Sequence, residues 1–400
     1  MDPIVVVGGG LAAARATETL RSEGYDGPLV VVAGESTVPY ERPPLSKEYL
    51  RGEAERADLR PLDADWYADQ HVDLRTGTSA TALDVGARSV TTAPGGAQRY
   101  SRLVLATGSR VRRIDVPGAE LDGVHYLRTV RDADRLASAL AGDGPVVVVG
   151  DGWIGMEVAA SARQLGREVT VVGRGPHPLA SLGPEVARIF TAVHEDNGVR
   201  LLHGRTVVGV DGDAGRVSGV RLDDDTSLPA ATVVVGIGVT PEVGLAAEAG
   251  IDLVADRDGG GIAVDGTLRT SAPDVWAVGD IAAIPSPRYD RMLRIEHWAV
   301  ADETGKHAAR SMTGSGEAYD VLPYFFSDQF DLGMEAKGLT EGEIVISGSA
   351  EDRECVVFWV DGGRVNGAMG INVWERMDEA EELIRHDGTV DRATLEAFAG

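Results

Sequence analysis

The feature that most constrains this chain is a strand–turn–helix–strand pattern that occurs twice. Ile4 to Val7 is a β-branched apolar run that predicts a buried strand. It breaks at Gly8-Gly9-Gly10, and a helix of small residues follows through Leu11, Ala12, Ala13 and Ala14. A second strand, Leu29 to Ala33, ends at Gly34-Glu35. This is G-x-G-x-x-A with an acid roughly 20–25 positions on, the dinucleotide-binding fingerprint. Gly8 allows the tight turn, Gly10 lets the backbone approach a pyrophosphate at the helix N-terminus, and Glu35 accepts from a ribose diol. About 140 residues later the pattern returns. Val146 to Val149 is a strand, Gly150-Asp151-Gly152-Trp153-Ile154-Gly155 the complete fingerprint, Met156 to Leu165 a helix and Val169 to Val172 the second strand. Two fingerprints imply two dinucleotide sites in an α/β fold.

The 400 residues are enough for two or three domains, and 43% hydrophobic with 25% charged residues is the composition of a globular protein. The opening apolar stretch is short, broken by glycines and preceded by Asp2, so it reads as neither a signal peptide nor a membrane span. A net charge of −25 argues against nucleic acids and anionic membranes as partners. Cys355 is the only cysteine, which rules out an internal disulfide or a CxxC redox pair and makes a cytoplasmic location the default expectation.

Between the fingerprints, the prolines of Val38-Pro39-Tyr40-Glu41-Arg42-Pro43-Pro44-Leu45-Ser46-Lys47 exclude a long regular element. Leu103 to Ala106 predicts a strand ending at Thr107-Gly108-Ser109, and Pro117-Gly118 marks a plausible boundary. Further strands are expected at Val233 to Val235, before Gly236-Ile237-Gly238, and at Val275 to Val278, before Gly279-Asp280. The last eighty or so residues change character. Strands at 343–347, 355–360 and 364–371, then helices near 375–385 and 392–398, predict a separate α+β domain.

Taken together, these residues resemble the oxygenase-coupled ferredoxin reductases, the putidaredoxin-reductase-like family to which apoptosis-inducing factor is distantly related. The resemblance runs nearly end to end. It rests on the Tyr40-to-Lys47 stretch, Ala106-Thr107-Gly108, Leu127-Arg128-Thr129, the second fingerprint with Glu157, Gly236-Ile237-Gly238-Val239-Thr240-Pro241, Val278-Gly279-Asp280, Glu296-His297-Trp298 and Phe326-Ser327-Asp328-Gln329. It implies two Rossmann-like domains, with an FAD domain at 1–115 and 242–322 split around an NAD(P)H domain at 116–241, and a C-terminal α+β domain at 323–400. No metal is implied, and the chain is expected to be a monomer or weak homodimer.

By the same resemblance, FAD is bound by Gly8, Gly10, Leu11, Ala12, Glu35, Arg42, Lys47, Ala80, Ala106, Thr107, Gly108, Arg128, Asp280, Glu296, His297, Trp298 and Phe326. Asp280 would accept from a ribitol hydroxyl, a role close to that of an ordinary helix-capping aspartate. His297 and Trp298 open a helix whose N-terminal N–H groups could stabilise negative charge on the flavin, with His297 a backbone donor rather than a base. Trp298 and Phe326 could equally be core residues. Lys47 and Glu157 match the family's pair at the reacting face, where the glutamate keeps a buried lysine compensated; the plain alternative is two solvated charges.

Gly150, Gly152, Trp153, Ile154, Gly155, Glu157, Gly236, Ile237 and Gly238 are the expected NAD(P)H contacts. The strand Val169 to Val172 should end in an acid that reads the adenosine ribose, but the residue there is Gly173, followed by Arg174. Glycine leaves room for a 2′-phosphate that Arg174 could bind, so NADPH is expected to be accepted and preferred, unless Arg174 is merely a solvated strand-end residue. With no second cysteine, a reduced flavin must release its electrons directly. The family's acceptor is an iron–sulfur ferredoxin that supplies an oxygenase such as a cytochrome P450, docking near Lys306 and Arg310. The rival readings are a reductase of a small quinone or radical acceptor, and a non-enzymatic redox-signalling protein like apoptosis-inducing factor.

Overall fold

The computed structural model describes residues 1–399; Gly400, at the end of the expected 323–400 domain, lies outside the described residues. The chain forms two compact units. The first comprises Met1–Glu41, Arg56–Arg110 and Thr240–Val321. At its centre is a five-stranded parallel sheet in the order Val275–Ala277, Arg102–Leu105, Ile4–Val7, Leu29–Val32, Val72–Arg75. Every residue of Ile4–Val7 and Leu29–Val32 is buried. Continuous β-branched runs form strands of this kind because a parallel sheet is covered on both faces. A three-stranded antiparallel sheet, Ser79–Asp84, Ser89–Ala93 and Gly96–Arg99, adjoins it in sequence.

The helix Leu11–Ser22 carries alanine at 12, 13, 14 and 16, all buried, so another helix can approach its backbone closely. That partner is Trp298–Thr313, which brings Gly305 against it. A Cβ on Gly305 would strike the Ala12 carbonyl oxygen and lie 3.1 Å from both the Ala16 nitrogen and the Arg15 Cβ. Glycine inside a helix costs about 0.5–1 kcal/mol relative to alanine, and here the space leaves no alternative.

The second unit comprises Arg42–Glu55, Val111–Val239 and the segment from Leu322 onward. Its parallel sheet runs Arg200–Leu202, Val169–Val172, Val146–Val149, Thr232–Val235, Val124–Tyr126. An antiparallel sheet follows the order Tyr324–Gln329, Leu332–Gly338, Arg364–Ile371, Glu354–Asp361, Glu343–Ser349. Its first two strands were not foreseen from the sequence. Leu332–Gly338 alternates buried and half-buried residues, the signature of a strand covered on one face, but glycine, glutamate and lysine obscure it in the chain. One apolar cluster runs through both sheets, from Val146, Met156 and Phe190 to Met334, Trp359 and Met369. Leu50, in the short helix Glu48–Arg51, packs into the same cluster and ties the proline-rich segment to this unit. Among the described residues no helix is long and apolar enough to cross a membrane.

The helix crossing gives a direct test. Gly305→Val should lower stability by about 1–3 kcal/mol, the usual cost of overpacking, and Gly305→Ala by less. Thermal unfolding midpoints measure both, and an unchanged midpoint for the valine variant would mean that the two helices part freely.

Candidate functional site

In the first unit the C-terminal ends of four parallel strands fall on one edge, and each ends in a predicted site residue. Gly8 to Ala12 follow Ile4–Val7, Glu35 follows Leu29–Val32, Ala106 to Gly108 follow Arg102–Leu105, and Asp280 follows Val275–Ala277. A Cβ on Gly8 would lie 2.7 Å from the Ala106 carbonyl carbon, so the two strand ends touch backbone to backbone. A Cβ on Gly10 would meet nothing within 4 Å. The helix that Gly10 opens has no side-chain cap. Uncapped N–H groups facing open space fit a pyrophosphate, which supplies the missing acceptors. Glu35 accepts a 2.6 Å hydrogen bond from the Tyr40 hydroxyl, which orients its carboxylate. Thr107 donates to the Glu242 carbonyl at 2.6 Å. Ala80 is half-buried on Ser79–Asp84.

His297 is the N-cap of Trp298–Thr313, again with no side-chain cap on the helix. Burial pushes its imidazole down to about 4, with Asp280 pulling the other way, so the ring is neutral near pH 7. The Trp298 indole donates to Glu41 at 3.0 Å. Glu296 is paired with Arg294 at 2.6 Å, and Arg294 also donates to the Asp280 carbonyl at 3.0 Å. On the same helix, Lys306 is paired with Asp302 and Glu303, and Arg310 with Glu23 at 3.3 Å. The positive charge expected of Lys306 and Arg310 is thus already compensated by local carboxylates.

The remaining expected flavin residues, Arg42, Lys47, Arg128 and Phe326, belong to the second unit, where Arg42 donates to the Arg128 carbonyl. Lys47 and Glu157 are each 4% exposed, with Nζ 3.5 Å from Oε1. The carboxylate also accepts from two hydroxyls, Ser46 on Oε2 and Ser327 on Oε1 at 2.7 Å. The Lys47 ammonium lies 5.7 Å from the centre of the Phe326 ring. Desolvating both charges costs several kcal/mol, so the hydroxyls matter as much as the attraction. Removing one partner would leave the other charge buried without compensation.

This network continues inward. Gln329 Nε2 donates to Ser327 Oγ at 3.1 Å, and its Oε1 accepts from His194 Nε2 at 2.9 Å. An amide oxygen only accepts, so the hydrogen bond assigns the proton to Nε2. Burial pushes His194 down to about 4, opposed by the Gln329 contact. Sequence reasoning quoted Ser46, Ser327 and Gln329 only inside motifs and missed His194. The signal was in the strand Tyr324–Gln329, whose alternate residues Ser327 and Gln329 share one face.

The second fingerprint repeats the geometry of the first at the ends of Val146–Val149, Val169–Val172 and Thr232–Val235. Gly150 has φ 109°, and a Cβ there would lie 2.7 Å from the Gly236 carbonyl carbon. A Cβ on Gly155 would lie 3.0 Å from the Gly150 carbonyl carbon, whereas one on Gly152 would meet nothing within 4 Å. The helix is Trp153–Gln164, three residues earlier than its predicted start at Met156, because Gly152 is its N-cap. Ile154 is 45% exposed, and Ile237 and Gly238 follow Gly236 at the partly open strand end.

Trp153 opens the helix, so its backbone amide stands at the expected coenzyme contact, while its ring packs edge-on against Phe190 and Phe325, at 5.6 Å and 5.0 Å between centroids. One expectation needs correction here. Gly173 was expected to leave room for a 2′-phosphate beside Arg174. That room is filled: a Cβ on Gly173 would fall inside the Asp151 carboxylate, and Arg174 is exposed.

Cys355 is buried, and burial pushes its thiol up to about 11, which makes it inert.

The buried histidines give a pH test with a definite sign. Unfolded, His194 and His297 take up protons near 6.5; folded, each resists until about 4. The unfolded state therefore binds more protons across that window, and stability falls as pH drops from 6.5 toward 4. The slope is at most about 1.4 kcal/mol per pH unit for each histidine. Urea midpoints between pH 5 and 7 should fall less steeply for His194→Gln than for the parent; parallel curves would show that His194 is not held neutral by the fold.

Residues 2–305 match the family model described as pyridine nucleotide-disulphide oxidoreductase, and residues 324–398 the one described as reductase C-terminal. Rhodocoxin reductase of Rhodococcus erythropolis is 37% identical over 372 residues, 92% of this chain and 86% of its own length. The chloroplastic/mitochondrial monodehydroascorbate reductase of Arabidopsis thaliana is 35% identical over 416 residues, 98% of this chain and 83% of its own. Among solved structures, the ferredoxin reductase for the CYP199A2 system from Rhodopseudomonas palustris is similar with a TM-score of 0.94 at 34% identity, covering 99% of this chain and 97% of that one.

Proposed function

The chain belongs to the pyridine nucleotide-disulphide oxidoreductase family, and on that premise we propose that it is an FAD-dependent NAD(P)H:ferredoxin oxidoreductase serving an oxygenase such as a cytochrome P450. The observation that carries the reading is the pairing of two dinucleotide cradles with a single, inert cysteine. Each cradle has an open central glycine and an uncapped helix N-terminus. An internal disulfide needs two cysteines, and this chain has one, with its thiol pushed up to about 11. The electrons must therefore leave for an external acceptor.

FAD, when bound, supplies the conversion of a two-electron hydride into single electrons. The residues of the chain do the rest. The amides after Gly10 and Gly152 would hold the two pyrophosphates, and Glu35, oriented by Tyr40, would accept from the FAD ribose. The N-terminus of Trp298–Thr313 offers uncapped amides to developing negative charge, while the neutral His297 contributes its backbone and no proton. Lys47 is paired with Glu157, which two serine hydroxyls hold in place. The relatives include reductases named for ferredoxin-type partners, which supports a ferredoxin acceptor. Docking on the Trp298 helix stays part of the proposal, with Lys306 and Arg310 freed from their carboxylates only on contact. A cytoplasmic setting belongs to it too, supported by the unpaired Cys355.

A second reading, reduction of a small radical or quinone, is favoured by the monodehydroascorbate reductase relative. Steady-state rates of the purified flavoprotein with a [2Fe–2S] ferredoxin, with monodehydroascorbate and with quinones separate the two. The ferredoxin should be the best acceptor by kcat/KM; a higher value for a small acceptor would replace the first reading by the second.

Lys47→Ala should keep FAD but slow its reduction about 10²–10³-fold, the usual loss when an ordered electrostatic contact is removed at a reacting centre. Stopped-flow bleaching of the flavin by excess coenzyme reads this directly, and a parental rate would take Lys47 out of the site.

A further inference from the structure

The second fingerprint lacks an acid at the place where such sites normally read the adenosine ribose. In a βαβ dinucleotide site that acid follows the second strand, here Val169–Val172, and the residue in its place is Gly173. A Cβ built on Gly173 would overlap Oδ2 and Cγ of Asp151 and lie 2.9 Å from its Cβ. The carboxylate of the glycine loop thus occupies the volume that a side chain at 173 would fill. The two positions are coupled, because Asp151 can lie there only while residue 173 has no side chain.

We propose that Asp151 is the residue that reads the 2′-position of the adenosine ribose, supplying from the glycine loop the carboxylate that the strand end lacks, and that it favours NADH over NADPH. The inference rests on the NAD(P)H reading of this unit and identifies the coenzyme within it. Asp151 Oδ2 is buried and has no hydrogen-bond partner among the described residues, although 19% of the side chain remains exposed. The nearest basic atom, His203 Nδ1, is 4.0 Å away, too far for a hydrogen bond, and both ring nitrogens of His203 are themselves buried and unpartnered. A buried carboxylate oxygen without a donor is an unfilled requirement, and a ribose hydroxyl meets it. A 2′-phosphate brought to the same place would meet like charge.

The electrostatic surroundings fit this assignment. Burial raises the Asp151 carboxyl above its ordinary value, while its own backbone N–H and the charges of His203, His177 and Arg174 pull it down. Asp151 therefore stands beside three basic side chains, His203, His177 and Arg174. Arg174, which alone would suggest NADPH, is exposed, whereas Gly173 is buried. Without the Asp151 carboxylate, the same neighbourhood would be an anion site.

The test uses the FAD-loaded protein and two non-reacting probes, ADP-ribose and 2′-phospho-ADP-ribose, titrated by calorimetry. The parent should bind ADP-ribose more tightly. Asp151→Gly should shift the ratio of the two dissociation constants toward the phosphorylated probe by about one to two decades, the range for a charge-assisted contact. Asp151→Asn, which keeps the volume, should shift it in the same direction. Adding Gly173→Glu to Asp151→Gly should restore the preference for ADP-ribose, whereas Gly173→Glu alone forces two side chains into one space and should lower the thermal midpoint. Ratios of kcat/KM for NADH and NADPH should follow the calorimetry. Equal affinity of the parent for both probes, or an unchanged ratio in both Asp151 variants, would overturn the assignment. If neither probe binds and neither coenzyme bleaches the flavin, the oxidoreductase reading itself fails; if NADH bleaches it and the ratio does not move, only Asp151 fails.

Discussion

Backbone-to-backbone contact at the C-terminal edge of a parallel sheet is the constraint on which each unit depends. In the first unit Gly8 meets Ala106, and in the second Gly150 meets Gly236. Neither contact tolerates a Cβ, and each draws two strand ends together so that a helix N-terminus opens beside them. The small residues of the following helices extend the same logic, with Ala12 against Gly305 in one unit and Gly155 against Gly150 in the other. Close packing brings uncapped amides to the edge of the sheet, and the open space over Gly10 and Gly152 leaves those amides available to a ligand. A dinucleotide cradle is the outcome of omitted side chains at some positions and omitted caps at others.

The buried pair of Lys47 and Glu157 follows a different principle. Two charges at 4% exposure carry a desolvation penalty that their attraction at 3.5 Å does not clearly exceed. Ser46 and Ser327 complete the acceptor side of the carboxylate, and Gln329 and His194 extend the order inward. Three groups, Lys47, Ser46 and Ser327, converge on the Glu157 carboxylate and over-determine its rotamer. The positions of both side chains are thus settled by the fold itself.

What could be read from the sequence was whatever has a period or a tight spacing. The β-branched strands and the two glycine patterns were legible because backbone sterics leave few alternatives at those positions. Lys47, Glu157 and the Phe326–Gln329 stretch came from family resemblance, since no local rule joins residues more than a hundred positions apart. Three features stayed hidden for physical reasons. His194 lies inside the amphipathic helix Pro184–Asp196, where a histidine looks like any polar residue. Trp153 adjoins a glycine loop in sequence, but it opens the helix and its ring packs against Phe190 and Phe325. Asp151 fills the space over Gly173, and that relation depends on how a loop folds back over a strand end, which neither residue's neighbours in sequence record.

The apolar cluster shared by the parallel sheet and the C-terminal sheet bears on how the second unit loses its structure. Met156 and Phe190 on one side and Met334, Trp359 and Met369 on the other bury their surface against a common interior. Neither sheet can open its half of that interior to water without stranding the other. Amide protons of Val146–Val149 and of Glu354–Asp361 should therefore exchange through a single opening event of the same free energy. The C-terminal sheet is then less an appended module than the second wall of one cooperative foldon, and a lesion far from the glycine loops can loosen the turn from Gly150 to Gly155 by way of that shared interior.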